Sequence, residues 1–124
     1  MPKGQRKAAG DAVTGDVATM ARLVPIVVLK LPHIDDCVVV PPIAEAIKAN
    51  ADLVRWSNHT GDTITVYLPG GVDGSVRDTF SIPDLGHQDR SVAGGTPGTY
   101  FYQVKCNLTS KLAKGNSDPT IIID

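Results

Sequence analysis

Two thiols and three imidazoles are the side chains of this sequence best suited to hold a metal or act as nucleophiles: Cys37, Cys106, His33, His59 and His87. Cys37 and Cys106 fit no zinc spacing and no Cys-x-x-Cys redox pattern. A disulfide between them stays open, since distance along a chain does not tell whether two Cβ atoms approach. His33 and Cys37 have an i, i+4 spacing that would ligate on a helix. The flanking Val38-Val39-Val40 favours a strand, where they stand about 13 Å apart. His59, His87 and Cys106 are the set from which a rebuilt metal site could be drawn, against the plainer reading of solvated loop histidines. A reactive Cys106 would need a cation beside it. Lys105 and Lys111 are the local candidates, but on a strand Lys105 points to the opposite face, which favours an inert buried thiol. Ser81, His87 and Asp89 have the residue types of a hydrolase set without a Gly-x-Ser-x-Gly elbow to present the nucleophile. Gly70-Gly71 and Gly94-Gly95 are not followed by the Lys-Ser/Thr of a phosphate loop. No catalytic set is complete, so the expectation is no enzyme and no cofactor.

The bulk composition narrows the classes further. A chain of 124 residues with 42% hydrophobic residues is expected to form one domain with a core that needs no staple. Lys plus Arg number 12 against 13 for Asp plus Glu, a balance that gives no electrostatic preference for nucleic acid or an anionic membrane and little repulsion between copies. No apolar run reaches the roughly 18–20 residues of a membrane span. The basic start, Met1 to Lys7, is not followed by the apolar stretch of a signal peptide. The sequence as it stands therefore reads as cytoplasmic, and an exported chain with its leader removed would read the same. Asn58-His59-Thr60 and Asn107-Leu108-Thr109 match the glycosylation triplet, which matters only in a eukaryotic secretory pathway.

Nine prolines and twelve glycines break the chain into short apolar runs, the punctuation of strands and turns. Residues 1–20 have no period and read as a flexible arm, with 21–124 as the folded domain. Leu23–Leu31 is a β-branched run in which Pro25 suits an edge or a strand entrance, and Asp36–Val40 is a second run stopped by Pro41-Pro42. Ile43–Asn50 reads as a strand ending in a turn at Asn50-Ala51-Asp52, with Asn50 as the residue tolerant of a left-handed conformation; a helix starting at Pro42 is the alternative. Leu53–Asn58 puts Val54 and Trp56 on one face. Thr63–Leu68 puts Ile64, Val66 and Leu68 inside, and the turn chemistry between the two runs predicts a hairpin. Asp78–Ile82 and a piece near Arg90-Ser91-Val92 follow. Thr99–Cys106 turns Tyr100, Tyr102, Val104 and Cys106 one way, and Thr120–Ile123 closes the count at about seven or eight strands, the signature of a Greek-key β-sandwich. Tyr67 and Phe101 are the aromatic residues that the alternation turns outward; they are the expected partner-contact surface, with the loops 58–62, 70–77, 83–98 and 107–118 and exposed strand edges carrying the contacts.

Taken in order, Asn50-Ala51-Asp52-Leu53-Val54-Arg55-Trp56-Ser57-Asn58, then Thr63–Leu68, then Pro97-Gly98-Thr99-Tyr100-Phe101-Tyr102 followed by Cys106, Gly115 and Ile121-Ile122-Ile123, this pattern resembles the cupredoxin-like superfamily over residues 40–124. The resemblance implies a sandwich whose last loops carry a copper site of one Cys, two His and usually a Met. The departures from it are specific. Asp62-Thr63-Ile64-Thr65 holds no His where the first ligand belongs, Cys106 falls about two residues late, and Asn107–Gly115 holds neither His nor Met. The expectation is a copper-free member acting as a non-catalytic binding or structural module for a protein partner or for itself. The alternative is metal binding or electron transfer through a rebuilt site at Cys106.

Overall fold

Alternation of apolar and polar side chains becomes pleated chain along most of the residues described in the computed structural model, 21–113 and 118–124. The arm expected over residues 1–20 lies outside them. Among the described residues eleven strands follow one another: β1 Leu23–Lys30, β2 Cys37–Val40, β3 Ile43–Ala46, β4 Leu53–His59, β5 Ile64–Leu68, β6 Asp78–Ile82, β7 His87–Ser91, β8 Gly98–Phe101, β9 Gln103–Cys106, β10 Lys111–Leu112 and β11 Thr120–Ile123. They form a four-stranded sheet in the order β2-β1-β4-β7, a second in the order β10-β9-β5-β6, and a three-stranded sheet in the order β3-β11-β8. The pairs β1–β4 and β3–β11 are parallel and the others antiparallel. The strand count exceeds the expected seven or eight for a local reason. One run is broken at Tyr102 into β8 and β9, whose halves join different sheets, and β10 is a short strand of two residues added beside β9.

The inward positions are those that the alternation selects. Ile26 and Val28 of β1, Val54 and Trp56 of β4, Ile64, Val66 and Leu68 of β5, Ile82 of β6, Val104 and Cys106 of β9, and Ile121 of β11 are all buried. Trp56 ties the first sheet to the second: its ring meets Phe80 edge-on at 5.4 Å and Tyr102 at 5.8 Å. Such edge-to-face contacts add about 0.5–1.5 kcal/mol each beyond the area they bury. The Arg90 guanidinium lies 4.1 Å over the Phe80 ring and closes the stack towards solvent. Pro25 sits at the strand entrance, in the part of β1 that pairs with β4 but lies before the register with β2 begins at Val27. Its missing N–H is tolerated there.

Two sequence expectations are corrected. Leu53–Asn58 and Thr63–Leu68 do not form a hairpin. β4 pairs with β1 and β7, whereas β5 pairs with β6 and β9. The turn between them is a corner from one sheet to the other, built around the buried side chains of Asn58 and Thr60. Two alternating runs and a Gly-containing turn do not reveal whether the runs pair with each other or face each other. At Ile43–Asn50 the strand ends at Ala46, a 3₁₀ turn spans Lys48–Asn50, and Ala51 rather than Asn50 takes the left-handed conformation (φ 54°, ψ 43°). Asp52 sets that geometry by drawing Ile47 N–H onto its carboxylate at 2.8 Å.

Candidate functional site

The two aromatic residues that alternation turns outward meet in space. Tyr67 lies in β5 between its register partners Thr79 and Gln103, and Phe101 ends β8. They are 40% and 61% exposed, too much for core residues of that size. Both line an open groove of about 440 Å³, together with Val76, Arg77 and Asp118. Val76, at 91% exposure, is an apolar side chain presented almost whole to solvent. β6, which holds Thr79, and β8, which holds Phe101, are the outer strands of their sheets. The groove lies across the outer face of β5, with Thr79 of β6 and Gln103 of β9 on either side of Tyr67 and Phe101 of β8 adjoining.

The wall of the groove is a loop, residues 69–77, held by its own hydrogen bonds. Gly71 N–H donates to Ser75 O at 3.1 Å and Thr96 N–H to Gly71 O at 2.8 Å, while Val72 is buried as the plug beneath. The Asp73 carboxylate accepts from Ser75 N at 3.1 Å and from its hydroxyl at 2.5 Å. Burial alone would raise the Asp73 carboxyl, but the Ser75 bonds and the Arg90 charge outweigh it and hold it below the usual range. The Gly-Gly pairs that are not phosphate loops have a packing role. A Cβ on Gly70 would stand 1.9 Å from Val76 O, and one on Gly95 2.2 Å from Val72 O. Gly70→Ala is therefore expected to cost about 2 kcal/mol or more, since backbone would have to move. Gly61→Ala, where only the left-handed φ of 96° stands against the side chain, should cost about 1 kcal/mol. Urea unfolding of the two variants checks the order, and an equal loss would mean that the loop yields without cost.

The residues with metal or nucleophile chemistry are distributed differently. His33, His59 and His87 all lie exposed, His33 in a turn with φ 64°. Ser81 is exposed and shares a 3.3 Å hydroxyl contact with Thr65, and Asp89 is gripped by Arg55 at 2.8 and 2.9 Å with His87 acting on it only through charge, so the three are not hydrogen-bonded into a hydrolase set. Among the described residues no three of His, Cys, Asp and Glu stand together as a metal-holding group, and Cys106, His59 and His87 are not brought into one cluster. Cys106 is buried in β9, in the same core cluster as Cys37. Burial, reinforced by Cys37, pushes the Cys106 thiol well above its ordinary range. A type-1 copper centre needs a thiolate, two imidazoles and a weak axial ligand around one point. A protonated thiol facing a second thiol does not supply that donor set. Asn58 is buried as well, so of the two glycosylation triplets only Asn107 presents its acceptor side chain.

Gly70, Val76 and Arg77 are groove residues that sequence reasoning placed in a contact-bearing loop, 70–77, without singling them out. The signal that distinguishes Val76 from the buried Val72 is tertiary, since both lie in one irregular Gly-rich loop with no period to assign a face.

No known protein-family model matches the chain, and no curated protein matches its sequence. Among solved structures, a proline-to-glycine mutant of amicyanin in its reduced Cu(I) form is similar at 15% identity, covering 92% of this chain and 87% of that one with a TM-score of 0.51. A purple cupredoxin from Nitrosopumilus maritimus aligns at 14% identity over 81% of this chain and 98% of that one, with a TM-score of 0.49. The mixed sheets, the Trp56-centred core and the match to amicyanin over almost the whole chain agree: this is an all-β sandwich with the cupredoxin-like fold.

Proposed function

We propose that the chain is a non-catalytic binding module that docks a segment of another protein in the groove lined by Tyr67, Phe101 and Val76. The observation that carries this reading is the convergence of Tyr67, Phe101 and Val76, three exposed apolar side chains, on one groove. Aromatic side chains rimmed by polar groups are the usual anchors of protein contacts. Arg77 makes no ion pair among the described residues and stands beside the apolar floor. The favoured segment thus carries an apolar side chain for Phe101 and Tyr67 and a carboxylate for Arg77.

A photoreactive benzoyl-phenylalanine placed at position 101, in cells that make the chain, should yield one discrete protein adduct. The same probe at Leu85, which is 75% exposed away from the groove, should yield none. Arg77→Glu should lower the yield at position 101 by about tenfold, the equivalent of one charge contact. An adduct of twice the chain's own mass would identify the partner as a second copy. Equal, diffuse labelling at 101 and 85 would refute the reading.

A further inference from the structure

We propose that Cys37 and Cys106 are the two halves of an inter-sheet disulfide, formed when the folding chain meets a disulfide oxidant. The pair is set by the architecture. Cys37 opens β2 in the first sheet, opposite Lys30, and Cys106 closes β9 in the second, opposite Ile64 and Lys111. Both side chains are buried in one core cluster. A second, independent contact spans the same gap on the solvent side. Lys111, the cross-strand neighbour of Cys106, reaches Asp36, the chain neighbour of Cys37, at 3.3 Å, and Asp35 at 3.6 Å. The strands involved can also draw together: β2 is the outer strand of its sheet, and beyond β9 lies only the two-residue β10.

The chemistry balances with a low-molecular-weight disulfide, R–S–S–R, as the oxidant. One cysteine thiolate attacks it, forming a mixed disulfide and releasing R–S⁻, which takes up the proton that the cysteine lost. The second cysteine displaces the remaining R group as R–SH. The protein loses two protons and two electrons, and the oxidant becomes two thiols. In the finished core the reaction is slow, because both sulfurs are shielded from solvent and burial keeps Cys106 protonated. Bond formation belongs to folding or to a transient opening of the β2 and β10 edges. The bond closes a loop of about 70 residues, long enough for a large loss of unfolded-chain entropy. This inference does not rest on the docking reading.

The full chain, purified reduced, is unfolded and then refolded in a mixture of oxidised and reduced glutathione. The expected product is a monomer lighter by about 2 Da, with no free thiol after denaturation. It should melt about 10 °C above the same chain refolded with both thiols reduced. The native chain exposed to the same mixture without unfolding should oxidise at least about tenfold more slowly. Two thiols persisting after refolding in oxidised glutathione would overturn the proposal, as would glutathione adducts or disulfide-linked dimers in place of the intramolecular bond.

Discussion

Asp52→Ala is expected to lower the unfolding free energy by about 3 kcal/mol, since it leaves the amides of Arg22 and Ile47 without their acceptor. Asp52 is wholly buried, yet every part of its carboxylate is occupied. One oxygen accepts from Arg22 N at 3.0 Å, and the other accepts from Arg22 Nη2 at 2.8 Å, Arg22 Nε at 3.2 Å and Ile47 N at 2.8 Å. Its backbone carbonyl receives Val92 N–H at 3.0 Å. One side chain thus joins the entrance of β1, the turn after β3 and the end of β7. Burial by itself would raise the Asp52 carboxyl; the Arg22 bonds and the Ile47 amide outweigh it, so the net shift is downward. A carboxyl whose folded pKa lies below its unfolded value of about 3.9 contributes stability that is complete above that value. The contribution is lost as pH falls through the folded pKa. The wild type should therefore lose stability below about pH 4, and Asp52→Asn should be less stable at neutral pH with a flatter acid profile. Urea unfolding across pH measures both, and parallel acid profiles for the two proteins would remove Asp52 from the account.

Much of the fold was legible because burial on one face of a strand leaves a period-two trace. Ile64, Val66 and Leu68 are inside where alternation puts them, and Tyr67 and Phe101 are outside. What alternation does not encode is the partner of a strand. Leu53–Asn58 and Thr63–Leu68 carry the same trace whether they pair in a hairpin or lie in facing sheets, and only the buried Asn58 and Thr60 distinguish the two. The candidate groove was half legible for the same reason. Its two aromatic residues follow from strand faces, but their meeting depends on the break at Tyr102 that sends β8 and β9 to different sheets. Val76 and Arg77 come from a loop whose geometry is set by Gly70 and Gly71. The approach of Cys37 to Cys106 left no local trace, since it results from two sheets stacking rather than from any spacing along the chain.

The corner that defeats the hairpin reading also gives the second large effect: Asn58→Ala should cost about 3–4 kcal/mol. The Asn58 amide donates to Asp62 O at 2.7 Å and Ile82 O at 2.9 Å, and its oxygen accepts from Thr60 N at 3.0 Å and the Thr60 hydroxyl at 2.8 Å. Its backbone binds Gly86 O and Leu85 N, so the same residue fastens the connection between β6 and β7. Each bond is worth about 1 kcal/mol net, and a buried donor or acceptor left without a partner costs about 1–3 kcal/mol. Alanine orphans several at once in a site with no solvent to replace them. Thr60→Val removes only the hydroxyl, whose second bond runs to Asp62 O at 2.8 Å, and should cost about 1–2 kcal/mol. Because the two residues share one network, the double variant should be less damaging than the sum of the single ones by about 1 kcal/mol. A double-mutant cycle by urea denaturation decides this: strict additivity, or an Asn58→Ala loss below about 1 kcal/mol, would mean that strand pairing alone turns the chain from one sheet to the other. The coupling expected instead makes Asn58 the residue that keeps β4 and β5 in separate sheets, and so keeps Tyr67 on the outer face that the groove requires.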